Sequence, residues 1–391
     1  MIVLKDSLLN FFKTESAVGV LLMLAIAVAM LFSNTALIRE YKDFLNIPVV
    51  ISIDEFVIAK PLLLWVNDGL MAIFFFMVGL EVKREIVEGT LNHISKVAVP
   101  VFAAIGGMMV PALIYIFFNW GDPVGMQGWA IPMATDIAFA LGILSLLGNR
   151  IPTELKMFLL ALAVIDDLGA IVVIALFFGH DLSVTALSIS GFFVLVLMLM
   201  NWRGVTNNTV YVLIGIIIWA AVLKSGVHAT IAGVIVGLLV PLKNNRESFH
   251  ELVSSLHAPV NYVILPIFAF VNTGINFGGV TLKDFTDNVT IGITLGLFFG
   301  KQIGIFGFSY LAVLLKVGRL PAGLNFGHIY GVAVLGGIGF TMSLFIGSLA
   351  FECSGDTCIN MTDERIGILL GSLLSGIVGY IVLRRSLGKA V

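Results

Sequence analysis

Ala163-Val164-Ile165-Asp166-Asp167-Leu168-Gly169 lies inside an apolar run that extends from Met157 to Phe178. A run of about 20 apolar residues is what a helix needs to cross a bilayer. A carboxylate at mid-membrane costs about 2.5–3.5 kcal/mol on insertion scales, so chains that keep such groups usually use them. Neighbours on a helix of about 3.6 residues per turn point about 100° apart. The two aspartates therefore do not share one face. One can line an aqueous cavity while the other meets a different helix.

The rest of the chain agrees with a membrane reading. Of 391 residues, 59% are hydrophobic and only 12% are charged, about half the charged fraction usual in a soluble domain. Apolar runs separated by charged, Gly or Pro clusters fall near 17-33, 60-82, 95-118, 125-147, 153-178, 182-200, 209-222, 227-240, 258-276, 289-315, 329-350 and 365-383. The expected fold is all-α and polytopic, with about twelve transmembrane helices in a single integral-membrane domain over 1-391. The stretch 209-240 has to be divided at Lys224-Ser225-Gly226. No small-residue cleavage site follows the first apolar run, so that run is expected to stay as a span. A net charge of -2 and no basic stripe argue against a nucleic-acid partner. No cofactor is implied.

Lys and Arg set the expected orientation. Fifteen of them fall at the N-terminus, in alternate loops and at the C-terminus, against five on the other side (Arg39, Lys42, Lys60, Lys283 and Arg365). Both termini are thus expected in the cytoplasm. On the opposite side, Pro48-Val49-Val50-Ile51-Ser52-Ile53 and Phe56-Val57-Ile58-Ala59 flank Asp54-Glu55, a pattern that suggests an extracytoplasmic β-hairpin near 48-59. Cys353 and Cys358 are also expected outside. The four residues between them leave room for a local disulfide in an oxidising compartment.

Two further charges interrupt apolar runs: Asp136 in span 4 and Lys301 in span 10. Burial and like charge both favour keeping a proton on one of two adjacent carboxyls, and a buried ammonium gives its proton up more easily. Carboxylate oxygens also bind a hard cation such as Na+ or Li+. Competition between ion and proton for Asp166 and Asp167 would couple their movement with no further device. Lys301 is the natural countercharge, either in a static ion pair or as a proton carrier. Span 4 contains Pro132, and span 11 contains Gly331, Gly336, Gly337 and Gly339 before Phe340-Thr341-Met342. Interrupted spans in corresponding halves, here 3-5 and 10-12, point to a midplane site with unwound backbone. Close helix packing through small residues is the plainer reading of the glycines.

Six stretches in order carry a resemblance. They are Gly79-Leu80-Glu81-Val82-Lys83-Arg84-Glu85, Ala134-Thr135-Asp136-Ile137-Ala138-Phe139-Ala140-Leu141-Gly142, and Ile165-Asp166-Asp167-Leu168-Gly169-Ala170. Leu223-Lys224-Ser225-Gly226-Val227-His228-Ala229-Thr230, Leu265-Pro266-Ile267-Phe268-Ala269-Phe270 and Gly337-Ile338-Gly339-Phe340-Thr341-Met342-Ser343 follow. Together they resemble the NhaA-type sodium/proton antiporter family, colinearly from about Leu63 to Leu349. The rule on interrupted spans was drawn partly from this family, so it adds no independent support here.

The resemblance implies inverted-topology repeats and two discontinuous helices, spans 4 and 11, that cross at mid-membrane. It implies that Asp166 and Asp167 bind the cation and protons, with Thr135 and Asp136 supporting the crossing. Lys301 would pair with Asp166 or compensate helix dipoles. The implied activity is electrogenic, pH-regulated exchange of internal Na+ or Li+ for external H+, by a homodimer joined through the hairpin. The implied setting is the lipid of a bacterial inner membrane. Glu81, Arg84, Glu85 and His257 match the family's pH-sensing positions, although helical spacing alone makes the first three a salt-bridged helix end. Val253 and Ser254 stand where the family's best-known member has an acid and a histidine, which implies a shifted pH profile. His228, a lone histidine near a membrane interface, reads as a packing or hydrogen-bonding residue rather than a sensor, and the role of Asp68 in span 2 is not readable. An intramembrane aspartyl protease would place its aspartates on separate helices, and a channel needs no adjacent proton-binding carboxylates. The remaining rival is a cation/proton exchanger of other selectivity, K+ included.

Overall fold

A computed structural model describes residues 15–54, 56–89, 94–179, 182–242, 245–351 and 361–387. Its first helices are α1 (Glu15–Ser33), α2 (Ile38–Leu45), α3 (Leu62–Val87), α4 (Ile94–Phe118), the 3-10 helix α5 (Gly125–Met133), α6 (Ile137–Ser145) and α7 (Thr153–Phe177). These are followed by α8 (Val184–Trp202), α9 (Asn208–Leu223), α10 (Thr230–Leu239) and α11 (Arg246–Gly279). The chain continues with α12 (Asn288–Leu314), α13 (Phe326–Leu335), α14 (Phe340–Ala350) and α15 (Met361–Ser386).

Among the described residues, seven helices are long and apolar enough to cross a membrane, or ten spans if each of the bent pairs α1–α2, α5–α6 and α13–α14 is one. The shorter apolar helices α9 and α10 fall on the two remaining predicted runs. At 10 residues, α10 rises about 15 Å, half of a hydrocarbon core of about 30 Å. The helix of span 9 starts at Arg246 rather than near residue 258. Phe249 and Val253, one helical turn apart, are buried while Glu247, His250 and Glu251 are exposed, and that amphipathic period extends the helix into polar sequence. The segment that holds Cys353 and Cys358 lies outside the described residues.

Three helices widen into π turns: α3 at Val66–Leu70, α11 at Val260–Ile264 and α12 at Gly296–Gly300. Such turns are frequent at functional sites. The third ends directly before Lys301.

The chain forms two compact units, one of Met1–Leu24, Thr90–Ala170 and Ile275–Val391, the other of Ala25–Gly89 and Ile171–Gly274. In the second unit, Leu80, Leu197, Tyr211, Ile218 and Phe249 share one buried cluster. Helices α3 and α10 pack backbone to backbone, as small residues allow in a bilayer. A Cβ on Gly237 would lie 2.6 Å from the Phe76 carbonyl oxygen and 2.9 Å from the Leu80 nitrogen. Gly237→Ala should therefore force the two helices apart at a cost of roughly 1–3 kcal/mol. A lower melting temperature in detergent would register it, and an unchanged one would mean that the contact is soft.

The same unit carries an antiparallel hairpin of β1 (Pro48–Ile53) and β2 (Phe56–Pro61), paired from Pro48↔Pro61 to Ile53↔Phe56. Asp54 at the turn has φ 51°, a left-handed conformation that Asp tolerates. Trp65 Nε1 donates to the Val49 carbonyl at 3.0 Å, Lys224 Nζ donates to the Val57 carbonyl, and Lys60 pairs with Asp68 at 2.7 Å. Those links tie both strands to the helices.

In the first unit α4 and α12 are closely packed. Pro100 and Pro111 lie within α4, and Gly300 of α12 fits against Pro111, where a Cβ would come within 2.7 Å of Pro111 Cα. That fit fixes the height of the next residue, Lys301.

Candidate functional site

The site is built where two helices stop short. After α5, Ala134 and Asp136 take extended backbone, and α6 resumes at 42° to it; α13 and α14 meet at 46° across Gly336–Gly339. The two breaks are laced to each other. Asp136 N donates to the Ile338 carbonyl at 2.6 Å, and Ser343 Oγ donates to the Ile131 carbonyl at 2.8 Å.

Asp136 occupies this junction. Its Oδ1 accepts from Phe139 N at 2.9 Å and so caps α6. Its Oδ2 accepts from Thr341 N at 3.0 Å and from Thr341 Oγ1 at 2.5 Å, in the first turn of α14. One carboxylate thus faces two helix N-termini, each with the equivalent of about half a positive charge. Lys301 supplies the complement. Its ammonium donates to the Met133 carbonyl, at the C-terminal end of α5, where the dipole is negative.

Lys301 also holds Asp166. Lys301 Nζ donates to Asp166 Oδ2 at 2.6 Å and to Thr135 Oγ1 at 2.9 Å. The Thr135 hydroxyl stands 2.7 Å from Asp166 Oδ2 and 2.9 Å from the Gly336 carbonyl, either of which accepts its proton. Thr135, Asp136, Asp166, Asp167 and Lys301 are all at most 2% exposed. Asp166 Oδ1 is buried with no hydrogen-bond partner. A buried carboxylate oxygen left without a donor carries a desolvation cost, and a hard cation coordinated by oxygen would relieve it. Asp167 follows on the same helix, turned about 100° away. The structure thus brings together Thr135, Asp136, Asp166 and Lys301, and pairs Lys301 with Asp166.

The second group of predicted residues lies in the other unit. His257 Nε2 is 3.4 Å from Glu81 Oε1, an ion pair only while the imidazole is protonated. Arg84 and Glu85 stand close enough to act on the charge of Glu81. Sequence reasoning missed their neighbour Glu88, which takes Arg246 Nε and His250 Nε2 at 2.9 Å each. His228 Nε2 lies 2.5 Å from the Phe178 carbonyl, a hydrogen-bonding role. Thr341 was also missed as a partner of Asp136, although a Thr just after a helix break is a recognisable start signal.

The sequence profile described as Na+/H+ antiporter 1 matches residues 9–383. The chain is 53% identical over 383 residues to the Na(+)/H(+) antiporter NhaA of Serratia proteamaculans, covering 97% of this chain and 98% of that one. It is 54% identical over 377 residues to the protein of the same name in Yersinia pestis, covering 96% and 95%. Among solved structures it resembles the sodium proton antiporter MjNhaP1 from Methanocaldococcus jannaschii, with a TM-score of 0.54 over 95% of this chain and 93% of that one. At 13% identity that likeness speaks to the fold alone. On the profile and the two relatives, the chain belongs to the Na+/H+ antiporter 1 family.

Proposed function

We propose that this multi-pass membrane protein is a secondary transporter that exchanges internal Na+, or Li+, for external H+ at Asp166 and Asp167. One observation carries the site: a fully buried Asp166–Lys301 pair beside a second buried aspartate, with Asp166 Oδ1 unsatisfied. The family membership and the names of the relatives support the ions.

The cycle follows from competition. A sodium ion takes the carboxylate oxygens of Asp166 and Asp167 and releases Lys301 from Asp166; protons return on the other side and restore the pair. With Lys301 neutral while both carboxylates hold one Na+, and with Lys301 and Asp167 each carrying a proton on return, two protons exchange for one Na+ and one net charge moves per cycle. Thr135 holds the Asp166 oxygen in place, and Asp136 keeps α6 and α14 aligned across the two breaks. Spans 4 and 11 act as discontinuous helices crossing at the midplane, within inverted repeats. The whole chain works as one transport module in the inner membrane, with both termini cytoplasmic, and pairs with a second copy through the hairpin. Glu81, Arg84, Glu85 and His257 adjust activity to pH through the contact of His257 with Glu81 and the charges beside it.

Collapse of a pH gradient by added Na+ in everted vesicles tests the reading, with wild type, Asp166→Asn and Asp167→Asn. Wild type is expected to respond to Na+ or Li+, and each variant to lose the response at least a hundredfold. A wild type that answers only to K+ would move the substrate and leave the fold standing. Variants that still transport would make the two aspartates structural.

A further inference from the structure

In the first unit, a cavity of about 640 Å³ opens between the start of α7 and the segment that joins α12 to α13, within the range of about 300–1,000 Å³ usual for small-molecule sites. Buried Phe158 and Ala161 form its apolar floor, and Leu320 and the exposed Met157 flank it. Glu154, Lys316 and Arg319 line it too and are exposed. Among the described residues none of these three has a salt-bridge partner. Two cations and one anion thus stand uncompensated around an apolar recess.

The position of Lys316 is itself costly. Lys316 N donates to the Val313 carbonyl and Val317 N to the Ala312 carbonyl, both at 3.0 Å, which closes α12 with a Schellman turn. Lys316 sits at its left-handed position with φ 59°, where glycine is the usual choice. The chain keeps a lysine there at a conformational cost, and the strain is a reason to look for function. Gly318 rests on Ala98 and Val99 of α4, which holds the segment firmly.

We propose that this cavity binds a phospholipid whose headgroup carries a phosphate and a primary ammonium. Lys316 and Arg319 take the phosphate, for which a guanidinium offers paired donors. Glu154 takes the ammonium, and the apolar floor takes the first methylenes of a chain. Basic pockets between spans on one membrane face are known lipid sites, and Glu154 selects against a headgroup with negative charge alone. The proposal uses the reading that both loops lie at one face of the membrane, on the side rich in Lys and Arg. It does not depend on the transported ion.

The test is the melting temperature of the delipidated full chain in detergent, titrated with phosphatidylethanolamine, phosphatidylcholine, phosphatidylglycerol or inorganic phosphate. Phosphatidylethanolamine is expected to raise the melting temperature of wild type at lower concentration than the other lipids. The double variant Lys316→Ala/Arg319→Ala should need at least tenfold more of it for the same shift. Glu154→Gln should erase the preference for ethanolamine over choline while keeping most of the binding. Equal shifts by all three lipids on wild type would overturn the proposal, and so would an unchanged response in the double variant. A shift reproduced by inorganic phosphate would overturn it as well, by showing a free-anion site. Because the headgroup comparison is made on wild type, it stands even if a variant folds poorly.

Discussion

Lys301→Ala is expected to destabilise the protein by about 3–5 kcal/mol, the usual cost of stranding one member of a buried ion pair. The ammonium it removes is the donor to Asp166 Oδ2, to Thr135 Oγ1 and to the Met133 carbonyl. Asp166 would be left 2% exposed with its charge uncompensated, and the C-terminal end of α5 would lose its counterion. The double variant Lys301→Ala/Asp166→Asn removes both charges, so it should melt above Lys301→Ala alone. Thermal unfolding of the four members of this cycle in detergent gives the coupling. If Lys301→Ala melts with wild type, or the double variant melts below it, the pair does not hold the unit together. Either result would point to a lysine kept for transport alone.

Asp136→Ala is the second large effect, and its mechanism differs. The carboxylate is the N-cap of α6 through Phe139 N, and from outside α14, whose own N-cap is Gly339, it does the same work for the free Thr341 N of that helix's first turn. Loss of one N-cap costs about 0.5–2 kcal/mol, so two caps amount to about 1–4 kcal/mol. Thr341 Oγ1, buried with its residue at 1% exposure, would lose the 2.5 Å bond besides. Asp136→Asn keeps one acceptor oxygen and should fall between wild type and alanine in melting temperature. Transport should drop in the same order, because the two breaks hold Thr135 between the Asp166 carboxylate and the Gly336 carbonyl. An Asn variant as damaged as Ala would shift the weight from hydrogen bonding to charge.

The parts of the site legible in the sequence were those that break a local rule. Asp166, Asp167 and Lys301 stand in apolar runs where a charge is costly, so they announce themselves without any partner. Which aspartate Lys301 meets was not legible in the residues themselves, because the pair joins positions 135 residues apart; only the family resemblance pointed to Asp166. Asp136 was legible as a charge and not as a double cap, since Thr341 lies 205 residues on. The twelve apolar runs were readable for the same reason that bilayers select about 20 residues at a time. Span 9 was misjudged at its start because hydropathy does not see an amphipathic helix leave the membrane. The π turns before Met71, Leu265 and Lys301 leave no trace in composition.

The separation of Asp166 from Lys301 also sets a clock for biosynthesis. At about 5–20 residues per second, the ribosome needs roughly 7–27 s to travel the 135 residues between them. Throughout that interval the span with Asp166 exists without its lysine, and its carboxyl bears the cost of about 2.5–3.5 kcal/mol for a charge at mid-membrane alone. The buried Asp166–Lys301 cluster is therefore finished late in the life of the nascent chain, after most of the spans around it have been made.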